Sequence, residues 1–170
     1  MKRSCSLAIL LSLGIVACTA PPPRPLSLLI TPDSTFRTTV VSVHDGDTLT
    51  VVANGSLQKI RLNGIDCPET HQPWGPQATE FTRELADKKE VTVTDLGRDK
   101  YHRIVGQITL ADGCNLNQEL VREGFCWWYQ KYARNSTVLE QLEQEAKDAK
   151  RGLWSDNHPI SPWKWRHQNQ

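Results

Sequence analysis

Thr48-Leu-Thr-Val-Val-Ala-Asn54-Gly55-Ser-Leu-Gln-Lys-Ile-Arg-Leu62 reads as two short strands joined by a tight turn. Asn-Gly tolerates positive φ at both central positions of a hairpin, and the flanking stretches 48–53 and 57–62 are rich in β-branched and apolar residues. Strand side chains alternate with a period of two, so Ile60 and Leu62 share one face while Lys59 and Arg61 share the other. One face is apolar and one is basic.

Working outward, residues 37–44 alternate around Val40, Val41 and Val43, which makes three antiparallel strands. Downstream, Gly75-Pro76 opens a helix to about residue 88, with Pro in its tolerated first turn and Ala78, Phe81 and Leu85 at helical spacing. Strand patterns follow at 90–96 and 103–110. A short helix over 116–122 is stopped by Gly124. A third helix is announced by the capping-box pattern Thr137-x-x-Glu140, carries Leu139, Leu142, Ala146 and Ala149 inward, and ends at Gly152. The order βββαββαα predicts an α+β domain: a five-stranded OB-type barrel with about three flanking helices.

The 170 residues, 38% hydrophobic and 23% charged, leave room for one folded domain with terminal extensions and exclude two large domains. Three of the 20 basic residues and one of the 19 acidic ones precede Phe36, so the remainder has a net charge of −1. No global positive field announces a partner. The five histidines lack metal-ligand spacing, so no zinc site is expected.

Met1-Lys2-Arg3 followed by an apolar run over 7–16 reads as a secretory signal, too short to span a bilayer permanently. Ile15-Val16-Ala17-Cys18 is similar to the lipobox of bacterial lipoproteins. It predicts a signal at 1–17 and a lipidated Cys18 that anchors the protein to a membrane outside the cytoplasm. Ordinary signal cleavage near Ala17 or Ala20 is the alternative. The Pro-rich stretch after Cys18 suits an extended tether over 18–35, ahead of a domain over 36–156 and a tail over 157–170.

Three polar clusters stand out: His44-Asp45-Gly46-Asp47-Thr48, then Arg61 with Asp66-Cys67-Pro68-Glu69-Thr70, then Asp99-Lys100-Tyr101-His102-Arg103. Each alone reads as a charged turn. The first lacks the third ligand and twelfth-position Glu of an EF-hand. Together they have a chemical logic. Asp47 and Asp66 can converge on a hard divalent cation, Arg61 and Arg103 can fork onto phosphate oxygens, and Glu69 remains to activate water. That combination points to metal-assisted hydrolysis of a phosphodiester.

These clusters, with Asn117-x-x-Leu-Val-Arg-x-Gly124 after them, resemble the staphylococcal nuclease (thermonuclease) family in order and spacing from about Thr39 to Trp154. The resemblance implies an OB-fold and calcium-dependent cleavage of DNA and RNA by water, leaving 3′-phosphates. It places Asp47 and Asp66 as calcium carboxylates, with Cys67 as a ligand through its backbone carbonyl. Arg61 and Arg103 become phosphate-binding residues, Glu69 the general base, and Lys100, Tyr101 and Tyr132 nucleotide contacts. The implied partners are DNA or RNA, with no protein partner and a monomeric state. A catalytically dead OB-fold lipoprotein that binds nucleic acid or another ligand is the rival, against which the intact set Asp47, Arg61, Asp66, Glu69 and Arg103 speaks.

Several positions depart from the family pattern. Cys67 stands in place of Thr and Gln130 in place of a second nucleotide-contacting Tyr, and the loop over 70–75 is short and poor in lysine. Trp127-Trp128-Tyr129 and Pro162-Trp163-Lys-Trp-Arg166 read as packing segments. Glu140, Glu143, Glu145 and Asp148 read as a solvated helix face. With Cys5 removed and Cys18 acylated, Cys67, Cys114 and Cys126 remain, so at least one is unpaired within the chain. Cys114 and Cys126 flank a helix whose ends lie about 13 Å apart, against the roughly 7 Å a disulfide allows. That pair needs the chain to double back, and the pairing stays open.

Overall fold

The computed structural model describes residues 34–169; the signal, the lipobox with Cys18 and nearly all of the tether lie outside the described residues. Five strands close into a barrel: β1 (Thr35–Asp45), β2 (Thr48–Ala53), β3 (Ser56–Leu62), β5 (Glu90–Arg98) and β6 (Ile104–Thr109), in the spatial order β1-β2-β3-β6-β5. Asn54 and Gly55 take φ of 51° and 72°, as the tight β2–β3 turn requires. Register shifts between Val40 and Ser42 and between Val43 and Asp45 bend β1, so that it pairs with β2 at one end and with β5 at the other. The barrel closes where β3 runs parallel to β6, Ile60 opposite Ile104. Closure satisfies the edge groups that an open sheet would leave unpaired.

Ile60 and Leu62 point inward as the period-two reading expects, and Val40, Leu49, Val51, Val91, Val93, Ile104 and Ile108 are buried with them. Helix α1 (Gly75–Ala86) packs on β1. Helices α2 (Leu116–Arg122) and α3 (Thr137–Asp148) pack on each other, burying Leu116, Leu120, Leu139 and Leu142. Asn117 links α2 to the barrel: its Oδ1 accepts the Ile108 N–H at 3.2 Å, and its Nδ2 donates to the carbonyls of Asn63 at 2.9 Å and Gly106 at 3.2 Å.

The structure corrects some details. Ser136, not Thr137, caps α3, accepting the Leu139 N–H at 3.3 Å. Ala149 is exposed beyond the helix end, at Asp148. Glu143 is buried, because its carboxylate accepts the Trp128 N–H at 3.0 Å and pairs with Lys147 at 2.6 Å. A fourth helix follows a 3-10 turn (Gly152–Ser155): α4 (Pro162–Gln168), with Pro in its first turn. Trp163 of α4 stacks on Tyr129 at 5.2 Å and meets Trp127 edge-on at 5.7 Å, the packing role expected of both segments. Among the described residues no helix is long and apolar enough to cross a membrane.

Candidate active site

The barrel end formed by the β1–β2 turn and the chain leaving β3 gathers carboxylates from separate segments. In the turn, Asp45 Oδ1 accepts the Asp47 N–H at 3.0 Å. Asp47 is buried; its Oδ1 accepts from the Thr48 hydroxyl at 3.1 Å and its Oδ2 from the Cys67 N–H at 2.8 Å. Asp66 lies on the short strand β4 (Ile65–Asp66) and is also buried. Arg61, on β3, joins the two. Its Nη2 lies 2.9 Å from Asp66 Oδ1 and 3.2 Å from Asp47 Oδ2, while its Nη1 donates to the carbonyls of Leu62 and Ile65, each at 2.8 Å.

A second small sheet fixes this arrangement. β4 pairs antiparallel with β7 (Trp127–Trp128), Ile65 opposite Trp128 and Asp66 opposite Trp127. One step further along, Cys67 forms a disulfide with Cys126, and Cys114 is free and exposed. The pairing left open by the sequence thus joins residues 59 positions apart. It commits the Cys67 thiol to the fold and leaves only its backbone as a candidate ligand. Gly46 is required beside it: a Cβ there would stand 2.7 Å from Cys67 Cβ and 3.0 Å from Ala78 Cβ.

Glu69 follows on the loop into α1. Its N–H donates to Gln72 Oε1 at 3.1 Å, and Gln72 Nε2 in turn donates to the Ile160 carbonyl at 2.6 Å, tying this loop to the segment before α4. Helix α1 begins so close to the loop that a Cβ on Gly75 would overlap the Glu69 carbonyl at 1.9 Å. From α4, Arg166 reaches the cluster: Nη2 donates to Asp66 Oδ2 at 2.7 Å, and Nη1 to Glu69 Oε1 at 2.6 Å and Asp66 Oδ1 at 3.3 Å. Sequence reasoning missed this residue, treating its segment as packing. The Pro162 helix start and an Arg three residues beyond the packing Trp163 were the available signals.

Burial, and then the neighbouring Asp47 charge, push the Asp45 carboxyl up to about 6. Burial likewise raises Asp66, against the opposing pull of Arg166 and Arg61. Burial works against Arg166 too, yet Asp66 and Glu69 raise its guanidinium beyond the usual arginine value. Carboxylates lifted mainly by burial, with the charge of Asp47 adding to it, are ones whose ionised form a nearby cation stabilises. Among the described residues no three His, Cys, Asp or Glu side chains form a ready-made metal cage. Asp47 and Asp66 nevertheless offer oxygen donors, the type a hard divalent ion takes, with water completing its shell.

The basic rim lies alongside. Arg103 Nε donates to Asp99 Oδ2 at 2.8 Å and its Nη1 approaches the Thr48 hydroxyl at 3.5 Å, next to Asp47. Burial opposes it, but the hydrogen bonds from Arg103 hold the Asp99 carboxyl below its ordinary value. Lys100 Nζ lies 4.9 Å from the Tyr101 ring centre and the Arg103 guanidinium 5.6 Å from it. Tyr101 and Tyr132 are 65% and 67% exposed, ring faces a flexible ligand can reach. Tyr132 packs edge-on against Tyr129 at 5.0 Å rather than in the Lys100–Arg103 group.

Residues 59–156 match the family model described as staphylococcal nuclease homologue. The chain belongs to the staphylococcal nuclease family. A protein named uncharacterized endonuclease from Escherichia coli is 46% identical over 129 residues, covering 76% of this chain and 84% of that protein. A micrococcal nuclease from Shigella flexneri is 35% identical over 140 residues, covering 77% of this chain and 80% of that protein. A staphylococcal-like nuclease from Arabidopsis thaliana shares 33% identity over 108 residues, 64% of this chain and 33% of that protein. In this family member Arg61 stands on a barrel strand, Asp47 in the β1–β2 turn and Asp66 on β4, whereas Arg166 comes from α4; Asp47 and Arg166 both lie outside the matched residues.

Proposed function

We propose that this chain is a calcium-dependent nuclease that hydrolyses phosphodiester bonds of DNA or RNA by water attack and leaves 3′-phosphates. The observation that carries it is the convergence of Asp47 and Asp66 on Arg61, with Glu69 beside Asp66 on Arg166. Family membership and the nuclease names of its relatives support the same reading.

Asp47, Asp66 and the Cys67 carbonyl would hold the ion, which supplies positive charge for the phosphate oxygens. Arg61 and Arg103 would offer guanidinium donors to the phosphate oxygens, Arg61 by exchanging part of its bonding to Asp47 and Asp66, and these strengthen as charge grows on the oxygens in the transition state. Glu69, the carboxylate of this group with most access to solvent, accepts a proton from the attacking water. The hydroxyl of Thr48 links Asp47 to Arg103, so the ion-binding and phosphate-binding halves share one anchor. Lys100, Tyr101 and Tyr132 supply charge and stacking faces for the nucleotides.

We further assign the protein to the outside of the cytoplasm as a monomer anchored by a lipidated Cys18. The signal and lipobox pattern supports this, as does the Cys67–Cys126 disulfide, a bond that persists in oxidising compartments. Cleavage of single-stranded DNA and of RNA by the purified protein, assayed in calcium and then in chelator, tests the chemistry. Cleavage in calcium alone is expected, with Glu69→Gln lowering kcat by about 10²- to 10⁴-fold. No cleavage of either substrate would favour the dead-barrel reading.

A further inference from the structure

Both oxygens of Asp66 are already engaged in this structure. Oδ1 accepts from Arg61 at 2.9 Å and from Arg166 at 3.3 Å, and Oδ2 accepts from Arg166 at 2.7 Å. The same guanidinium holds Glu69 at 2.6 Å. A carboxylate offers about four lone-pair sites, so three hydrogen bonds leave little room for an ion on Asp66. A guanidinium in contact with Asp66 also repels any divalent cation brought to that carboxylate. Arg61 is fixed by backbone carbonyls as well as by the acids, whereas Arg166 is delivered by a separate helix. That helix has its own anchors: Trp163 against Tyr129 and Trp127, and, in the segment just before it, Ile160 held by Gln72.

We propose that Arg166 is a resident counter-cation that competes with the divalent ion for Asp66 while it holds Glu69, so that docking of α4 sets the metal affinity of the site. Entry of the ion requires the guanidinium to withdraw. The same movement frees Glu69, coupling ion binding to release of the water-activating carboxylate. This rests on the metal reading above.

Calorimetric titration of calcium into the purified, chelator-stripped full chain tests it, together with thermal unfolding in chelator and in calcium. Arg166→Gln should tighten calcium binding by about tenfold or more. It should also lower the melting temperature in chelator while enlarging the rise that calcium produces; a merely structural role would lower both curves equally. Trp163→Ala lies away from the carboxylates, and by loosening α4 it should tighten calcium binding a few-fold. Arg166→Lys keeps a charge but cannot span both carboxylates, so it should fall between wild type and Arg166→Gln. It carries the test if the Gln variant fails to fold. Calcium binding that is unchanged or weaker in these variants overturns the proposal and leaves the metal reading standing. Absence of binding in wild type and variants alike overturns both.

Discussion

Arg61 and Arg103 bring the same side chain to Asp47 and to its neighbour Thr48, yet their settings differ. Arg61 is 16% exposed and bound by two backbone carbonyls and two carboxylates, whereas Arg103 is 27% exposed and held mainly by Asp99, four residues away. The contrast extends to their surroundings. The acid side is tied by a strand pair and a disulfide to residues about 60 positions downstream. The rim is a local turn carrying the exposed Tyr101. Charged groups that must stay close to one another in a partly dry place need long-range restraint, because their mutual repulsion would otherwise spread them. Groups that meet a flexible polymer gain from access instead.

The largest expected effect breaks the acid side. Cys126→Ala removes a link spanning 59 residues, and the loop-entropy account gives a loss of about 4 kcal/mol in urea unfolding. Reductant should reproduce that loss in wild type. Cys114→Ala, at an exposed thiol, should change stability by less than about 0.5 kcal/mol. An equal effect at both cysteines would erase the contrast.

A smaller effect sharpens it through pH. The Asp45 carboxyl rises from its ordinary 3.8 to about 6 in the folded chain, so between these values the native state holds more protons than the unfolded one. Stability from this group is therefore full below pH 4 and lost as pH rises through 6. Asp45→Asn keeps the acceptor for the Asp47 N–H and should stabilise the chelator-treated protein at pH 7.5 by roughly 1–3 kcal/mol, with little gain at pH 3.5. A variant gain that is the same at both pH values would count against the buried carboxylate's ionisation as the cause.

The smallest effect on stability belongs to the rim. Tyr101→Ala should alter unfolding by less than about 0.5 kcal/mol, since the ring is mostly exposed. Its affinity for single-stranded DNA should fall by about 1–3 kcal/mol, the usual worth of one stacked base, measured in a fluorescence titration. Loss of stability without loss of affinity would move Tyr101 from the ligand surface into the fold.

The five barrel strands, the first three helices and the polar clusters were legible because each depends on neighbours in the chain, as with alternation in β3, Asn54-Gly55 at the β2–β3 turn and Gly75-Pro76 at the start of α1, whereas the two-residue strands β4 and β7 carry no such local pattern. Small errors arose where a local pattern had two solutions, as at Ser136 and Thr137, both able to cap α3 and decided by which hydroxyl meets the Leu139 N–H. Glu143 was misread because only tertiary packing brings the Trp128 N–H and Lys147 to its carboxylate. The sequence by itself determined the barrel's strand pattern and named Asp47, Arg61, Asp66, Glu69 and Arg103 as a set. Tertiary structure alone decided that Cys67 pairs with Cys126 and that Arg166 lies on Asp66 and Glu69. Those contacts span 59 to 100 residues, and no spacing rule reaches across such distances; the directions in which β4, β7 and α4 pack determine which side chains meet.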